Sequence, residues 1–242
     1  MKKRHSGLKQ RDLRYNFMDG SSVFDPEIFE IEGTVLKKYK GKGQYVVIPD
    51  GITEIGEEAF AHLYHVEEVI IPDTVEKIGT LAFVHCHALK NITVPKSVKE
   101  MGDSIFYRCV RLKRATVNGE IEKIGIETFE SCHSLTSVTL PPTLKEIHST
   151  AFCNCSELKS IQLPSGLTFI GRHAFLHDPL TSVFIPASVT KIDEMAFGFC
   201  RLLAHISCEA KSQPEGWHKY WLHNPLFNNP DNKVLWGCKR KK

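Results

Sequence analysis

The chain has 242 residues, 42% hydrophobic and 24% charged, with a formal net charge of +3 and eight cysteines. These proportions are ordinary for a folded soluble protein and exclude low-complexity and collagen-like classes. No stretch approaches the roughly 20 apolar residues of a membrane helix. The basic opening Met1-Lys2-Lys3-Arg4 lacks the apolar segment of a secretory signal, so the expected compartment is the cytoplasm. Six Lys/Arg fall in residues 1–14 and four in 239–242, leaving a body of 21 basic against 27 acidic residues, near −6. Basic character therefore belongs to the ends, without a folded basic face.

In chain order, residues 1–22 are polar and aperiodic, a basic tail expected to be mobile. Residues 23–44 read as an N-terminal cap: Phe29-Glu30-Ile31, a Glu32-Gly33 turn, then Val35 to Tyr39 form a small hairpin. From 45 to 208 the chain repeats itself. Prolines recur at Pro49, Pro72, Pro95, Pro141, Pro164 and Pro186, with Asn118 replacing one. Phenylalanines recur at Phe60, Phe83, Phe106, Phe129, Phe152, Phe175 and Phe197. Both series step by 23 residues, with one step of 22, a period that marks a solenoid.

The coil Leu158-Lys159-Ser160-Ile161-Gln162-Leu163-Pro164 shows how the parts divide. Leu158, Ile161 and Leu163 point inward while Ser160 and Gln162 alternate outward, the pattern of a half-buried strand. Pro164 has no N–H, so it ends the strand. Leu167 and Ile170 re-enter the core, and Ala174-Phe175 opens a short helical or irregular turn that plants the ring inside. Gly56, Gly79, Gly102, Gly125 and Gly171 form a column expected in the left-handed region, interrupted by His148 and Asp193. Cys86, Cys109, Cys132, Cys155 and Cys200 form another, read as reduced, buried packing; Cys153 and Cys238 lie outside it and are expected to be more exposed. The stretch His177-Asp178-Pro179-Leu180 is one residue short and lacks the column cysteine.

Residues 209–238 abandon the pattern. Trp217, Tyr220, Trp221, Leu226, Phe227 and Trp236 make an aromatic C-terminal cap, ending in a strand near Val234-Leu235-Trp236; an aromatic binding site is the alternative. Residues 239–242 are a basic tail.

The unit L-x-x-(I/V)-x-(I/L/V)-P-x-x-(V/L)-x-x-I-G-x-x-(A/T/S/I)-F-x-x-C resembles the BspA-type leucine-rich repeat, and the resemblance covers about Gly33 to Gly237. The flanks GTVLKKYKGKGQYVVIPDGITEIGEEAF and CEAKSQPEGW…VLWG resemble those of bacterial members. The resemblance implies a mainly β, right-handed solenoid with a parallel sheet on its concave side, capped at both ends. It also implies a protein-binding or adhesive role, with no shared active site to transfer.

The residues themselves point away from catalysis. His85-Cys86-His87, Cys132-His133 and Cys153-Asn154-Cys155 lack the spacing of a structural zinc site. Alternation also sends Cys86 opposite to His85 and His87. Neither a P-loop nor a nucleophile elbow is present, so no catalytic, metal or cofactor residues and no small-molecule substrate are expected. The expected surface is the concave sheet. One outward column runs Val47, Ile70, Thr93, Thr116, Thr139, Gln162, Phe184 and Ser207; its neighbour runs Tyr45, Glu68, Asn91, Arg114, Ser137, Ser160, Ser182 and His205. Tyr45, Ile70, Asn91, Arg114, Thr116, Thr139, Gln162, Phe184 and His205 are the candidate contacts with a protein partner. The expected function is a non-catalytic interaction scaffold. The alternatives are an exported adhesin and nucleic-acid association through the basic tails.

Overall fold

The structure, a computed structural model, describes residues 27–223 and 233–240. The tail at 1–22, together with Leu226, Phe227, Lys241 and Lys242, lies outside the described residues. In chain order the strands begin β1 (Phe29–Glu32), β2 (Val35–Tyr39), β3 (Tyr45–Val47), β4 (Glu54–Ile55), β5 (Glu68–Ile70) and β6 (Lys77–Ile78). They continue β7 (Asn91–Val94), β8 (Glu100–Met101), β9 (Arg114–Val117), β10 (Lys123–Ile124), β11 (Ser137–Thr139) and β12 (Glu146–Ile147). The last are β13 (Phe169–Ile170), β14 (Ser182–Ile185), β15 (Lys191–Ile192), β16 (His205–Cys208) and β17 (Lys233–Leu235).

These strands wind about eight parallel turns of a β-solenoid. The longer strands form the concave sheet, in the orders β3-β5-β7-β9-β11 and β14-β16-β17. The two-residue strands form a second wall, with the antiparallel hairpin β1-β2 leading into β4-β6-β8, followed separately by β10-β12-β13-β15. Alternation explains the first wall. In Asn91-Ile92-Thr93-Val94, Ile92 and Val94 are buried while Asn91 and Thr93 are exposed.

The third side carries the phenylalanines. All seven are buried, and neighbouring rings stack at 4.9 to 5.5 Å between centroids. Tyr39 extends the stack at one end, 5.4 Å from Phe60. Trp221 closes the other, edge-on to Phe197 at 5.9 Å. No coil could bury its own ring faces, so each ring depends on the coils beside it.

Backbone bonding on this side runs opposite to the second wall. Gly79 N–H donates back to Ile55 at 2.7 Å, whereas Phe60 N–H donates forward to Ala82 at 2.8 Å. The two caps complete these rows. Tyr39 N–H donates to the Ala59 carbonyl at the start, and the carbonyls of Tyr220 and Trp221 receive Met195 and Phe197 N–H at the end. Trp217 and Trp221 are buried, and the Trp217 indole donates to the Val189 carbonyl at 3.0 Å. Those two rings are therefore structural parts of the cap and are not open to a ligand.

Three expectations are corrected. The glycine column is not left-handed: among the described residues, positive φ at glycine is confined to Gly33, Gly51 and Gly237. The column glycines are needed for close approach instead. A Cβ on Gly102 would lie 2.5 Å from the Thr80 backbone nitrogen, and one on Gly79 would lie 2.7 Å from that of Glu57. The non-glycine left-handed residues sit two positions either side of each phenylalanine of the column, from Glu58 and His62 around Phe60 to Met195 and Phe199 around Phe197. Such residues cost roughly 1–2 kcal/mol each, offset here by the forward hydrogen-bond row.

The second correction is at Leu158–Pro164, which forms no strand. Ile161 and Leu163 are buried and Ser160 and Gln162 exposed, as alternation requires, yet the concave ladder is interrupted here. Proline accounts for part of the pattern of ladders: where Pro72 follows Pro49, β3 and β5 still pair over three residues. Asn118 and Glu209, which hold the proline position in two coils, donate their N–H to the Val94 and Ile185 carbonyls at 3.0 Å. The strands before them, β9 and β16, are those that pair over four residues with the preceding parallel coil. Where Pro95 follows Pro72, β5 and β7 pair at Glu68↔Asn91 alone. Where Pro141, Pro164 and Pro186 follow in succession, pairing is lost.

Thirdly, Cys153 is buried like the column cysteines, and only Cys238 is half-exposed. All eight cysteines are unpaired. The column thiols do more than pack: each donates to the phenylalanine carbonyl of the coil before, as Cys86 does to Phe60 at 3.0 Å and Cys132 to Phe106 at 3.2 Å. Burial pushes the Cys86 thiol up to about 12, so it stays protonated and able to donate.

Candidate protein-binding face

Parallel register aligns the outward residues of the concave sheet. Tyr45 pairs with Glu68, Glu68 with Asn91, Asn91 with Arg114, and Arg114 with Ser137. Val47 pairs with Ile70, and Thr93, Thr116 and Thr139 follow one another in register. Beyond the gap, Ser182 pairs with His205 and Phe184 with Ser207. Tyr45, Ile70, Asn91, Arg114, Thr139, Gln162 and His205 are exposed; Thr116 and Phe184 are half-buried. The structure brings Tyr45, Val47 and Ile70 together as an exposed apolar corner, 44%, 48% and 38% accessible, at the N-terminal end of the face. Arg114 stands two coils further on.

The rim beside this face is charged. Lys90 Nζ meets Glu67 Oε2 at 2.5 Å, and that hydrogen bond holds the Glu67 carboxyl below its ordinary range. On the second wall Lys77 meets Glu54 at 3.2 Å. Both pairs are exposed on the lysine side and are worth little individually.

Two features lay outside the sequence-derived columns. Arg240 reaches back onto the concave face: its guanidinium lies 5.5 Å from the centre of the Phe184 ring and donates to the Leu163 carbonyl. Separately, His62, Tyr64, His85 and His87 form a ring cluster next to the phenylalanine turn. His62 stacks on His85 at 4.9 Å, Tyr64 lies 4.8 Å from His87, and His85 Nδ1 is 3.3 Å from His87 Nε2. Burial, with His62 and Arg108 nearby, holds His85 and His87 below the usual imidazole range. The 23-residue spacings of His62 to His85 and Tyr64 to His87 were the available signal. Cys86 points the other way, into the core. Among the described residues no group of three or more His, Cys, Asp or Glu is arranged to hold a metal ion.

Comparison with known proteins bears on this architecture. The BspA type leucine rich repeat region matches in six copies, over residues 38–149 and 122–215. The chain belongs to that family. A leucine rich cell surface protein from Faecalibacterium prausnitzii is 32% identical, with a TM-score of 0.67, over 74% of this chain and 51% of that one. A leucine-rich repeat protein from Eubacterium ventriosum is 25% identical, with a TM-score of 0.52, over 66% and 48%. One from Bacteroides ovatus is 24% identical, with a TM-score of 0.63 over 80% and 60%, a likeness of fold. This BspA-type chain thus spans about half the length of the first two. No curated protein matches it.

Proposed function

We propose that this BspA-type chain is a non-catalytic interaction scaffold that holds a protein partner on its concave sheet. The observation that carries the reading is the in-register pair of outward columns, with the exposed Tyr45–Val47–Ile70 corner at one end and Arg114 near the middle. Aromatic, aliphatic and arginine groups in one plane supply anchors, while Thr93, Thr116 and Thr139 offer hydroxyls to an extended main chain. Leucine-rich-repeat architecture in general serves protein interaction, which supports the same conclusion.

A second reading concerns the compartment. The cell-surface description of the Faecalibacterium protein favours an adhesive role outside the cell over the cytoplasmic role expected from the sequence. No helix among the described residues is long and apolar enough to cross a membrane. Protease treatment of intact producing cells separates the readings: cleavage of this chain supports the surface role, and protection supports the interior one. The scaffold itself is tested by capture with wild-type and Arg114→Glu/Phe184→Ala baits of equal stability. Loss of bound proteins from the double mutant is expected; identical captures would sink the concave-face assignment.

A further inference from the structure

We propose that the lip of the concave sheet at Leu163, Phe184 and Pro186 is a subsite for an arginine side chain of an extended partner segment, occupied in the free protein by Arg240. The proposal rests on the reading that the partner lies on the concave sheet, and it specifies that partner's chemistry.

The argument begins with proline. At the lip, Asn118 and Glu209 hold the proline position in two coils, and each donates its N–H to the carbonyl one coil back, Asn118 to Val94 and Glu209 to Ile185. Proline cannot donate. Pro186 therefore leaves the Leu163 carbonyl without a ladder partner, and among the described residues no backbone N–H meets the carbonyls of Ile71 or Leu140 either. An unpaired carbonyl beside a half-buried surface seeks a donor.

At Leu163 the donor is the Arg240 guanidinium, and the ring beneath it is Phe184. A flat guanidinium can stack on an aromatic face and donate in its own plane at once, which the compact ammonium of lysine does less well. The contact spans 77 residues of sequence and is made from the end of the described chain, just past the ladder bond of Cys238. Nothing in the stack depends on it: the ring core, the thiol column and both caps are complete without Arg240. It is a removable occupant of an acceptor site.

The test uses the full chain, isotope-labelled and titrated by NMR. The probes are acetyl-Gly-Arg-Gly-Arg-Gly-amide and its lysine counterpart. Removing the internal competitor should tighten binding, so Arg240→Ala is expected to bind the arginine peptide roughly three- to tenfold more tightly than wild type, with shifts centred on Phe184 and Leu163. The lysine peptide should bind more weakly. Phe184→Leu combined with Arg240→Ala keeps an apolar side chain in place and should lose the preference for arginine at an unchanged melting temperature. The subsite is overturned if Arg240→Ala binds no more tightly than wild type, or if the Phe184→Leu double variant keeps the arginine preference. Failure here is separable from failure of the scaffold reading. Partners lost on Arg114→Glu yet indifferent to Arg240→Ala would sink the subsite alone. Arginine-peptide binding at Phe184, with captured proteins indifferent to Arg114→Glu, would sink the scaffold reading alone.

Discussion

Asp178 stands in the core position that Cys155 holds one coil earlier, and its Oδ1 accepts the Cys155 backbone N–H at 2.8 Å. Its other oxygen, Oδ2, is buried without a partner among the described residues. Burial drives this carboxyl well above its ordinary range, which favours its neutral acid form in the folded chain. In the sibling coils a thiol donates to a phenylalanine carbonyl; here a carboxyl group takes the thiol's position.

The stability consequence has a definite sign. A carboxyl whose folded pKa is raised binds its proton more tightly in the folded chain, so stability falls as pH rises from the unfolded value near 4 towards the folded one. Asp178→Asn keeps the acceptor for Cys155 N–H and removes the titration. At pH 7 it should be more stable than wild type, because unfolding of the wild-type chain releases a proton that the buried carboxyl holds and unfolding of the amide does not. The advantage should shrink below pH 4. Thermal melts of both proteins from pH 3 to 8 check this; a gap independent of pH would contradict it.

Phe129 tests the ring stack. It lies 5.3 Å from both Phe106 and Phe152 and is fully buried. Phe129→Ala opens a cavity between two coils and should cost about 3–5 kcal/mol. Denaturant unfolding of the purified variant measures it, and a wild-type midpoint would contradict the stack as the source of stability.

The proline and phenylalanine columns were legible in the sequence because a chemically distinctive residue recurs every 23 positions. The glycine column was equally visible, but its reason was not. Glycine is used both for positive φ and for close backbone approach, and only the Thr80 nitrogen 2.5 Å from the Cβ position of Gly102 decides between them. Likewise, alternation at Ser160–Leu163 correctly gave inward and outward faces, but it carries no information about the missing donors of three successive prolines. The contact of Arg240 with Leu163 spans 77 residues and belongs to no repeat, so no periodic pattern could announce it. On the candidate face, register confirmed which residues align, while any use in binding depends on a partner the repeat does not encode.

The two backbone classes make opposite predictions for the smallest side-chain changes. Gly102→Ala forces a methyl group into the Thr80 backbone and should destabilise by about 1–3 kcal/mol. Glu58 is exposed with φ of 53°, so Glu58→Gly relieves a left-handed cost of roughly 1–2 kcal/mol against a glycine entropy of roughly 0.5–1. A net gain of about 0.5–1 kcal/mol is expected. Matched chemical denaturation of the two variants measures both signs. Equal destabilisation by both would show that glycine serves one backbone role at both positions.

The histidine cluster should make the solenoid acid-sensitive. His85 and His87 in this cluster are held below the usual imidazole range, with burial the largest cause, as is His173 outside it. A depressed folded pKa means that the unfolded chain takes up protons first, so stability is full above the unfolded value near 6.5 and falls as pH drops below it. Hydrogen exchange locates the effect. Amides around His62 to His87, including His62 N–H on the Val84 carbonyl and His87 N–H on the His85 carbonyl, should lose protection between pH 6.5 and 5 before those around Phe129. His87→Gln removes one imidazole from the contact with His85 and should flatten the pH dependence of the melting temperature. An unchanged slope in that variant would mean that the charge entering this cluster is accommodated without cost.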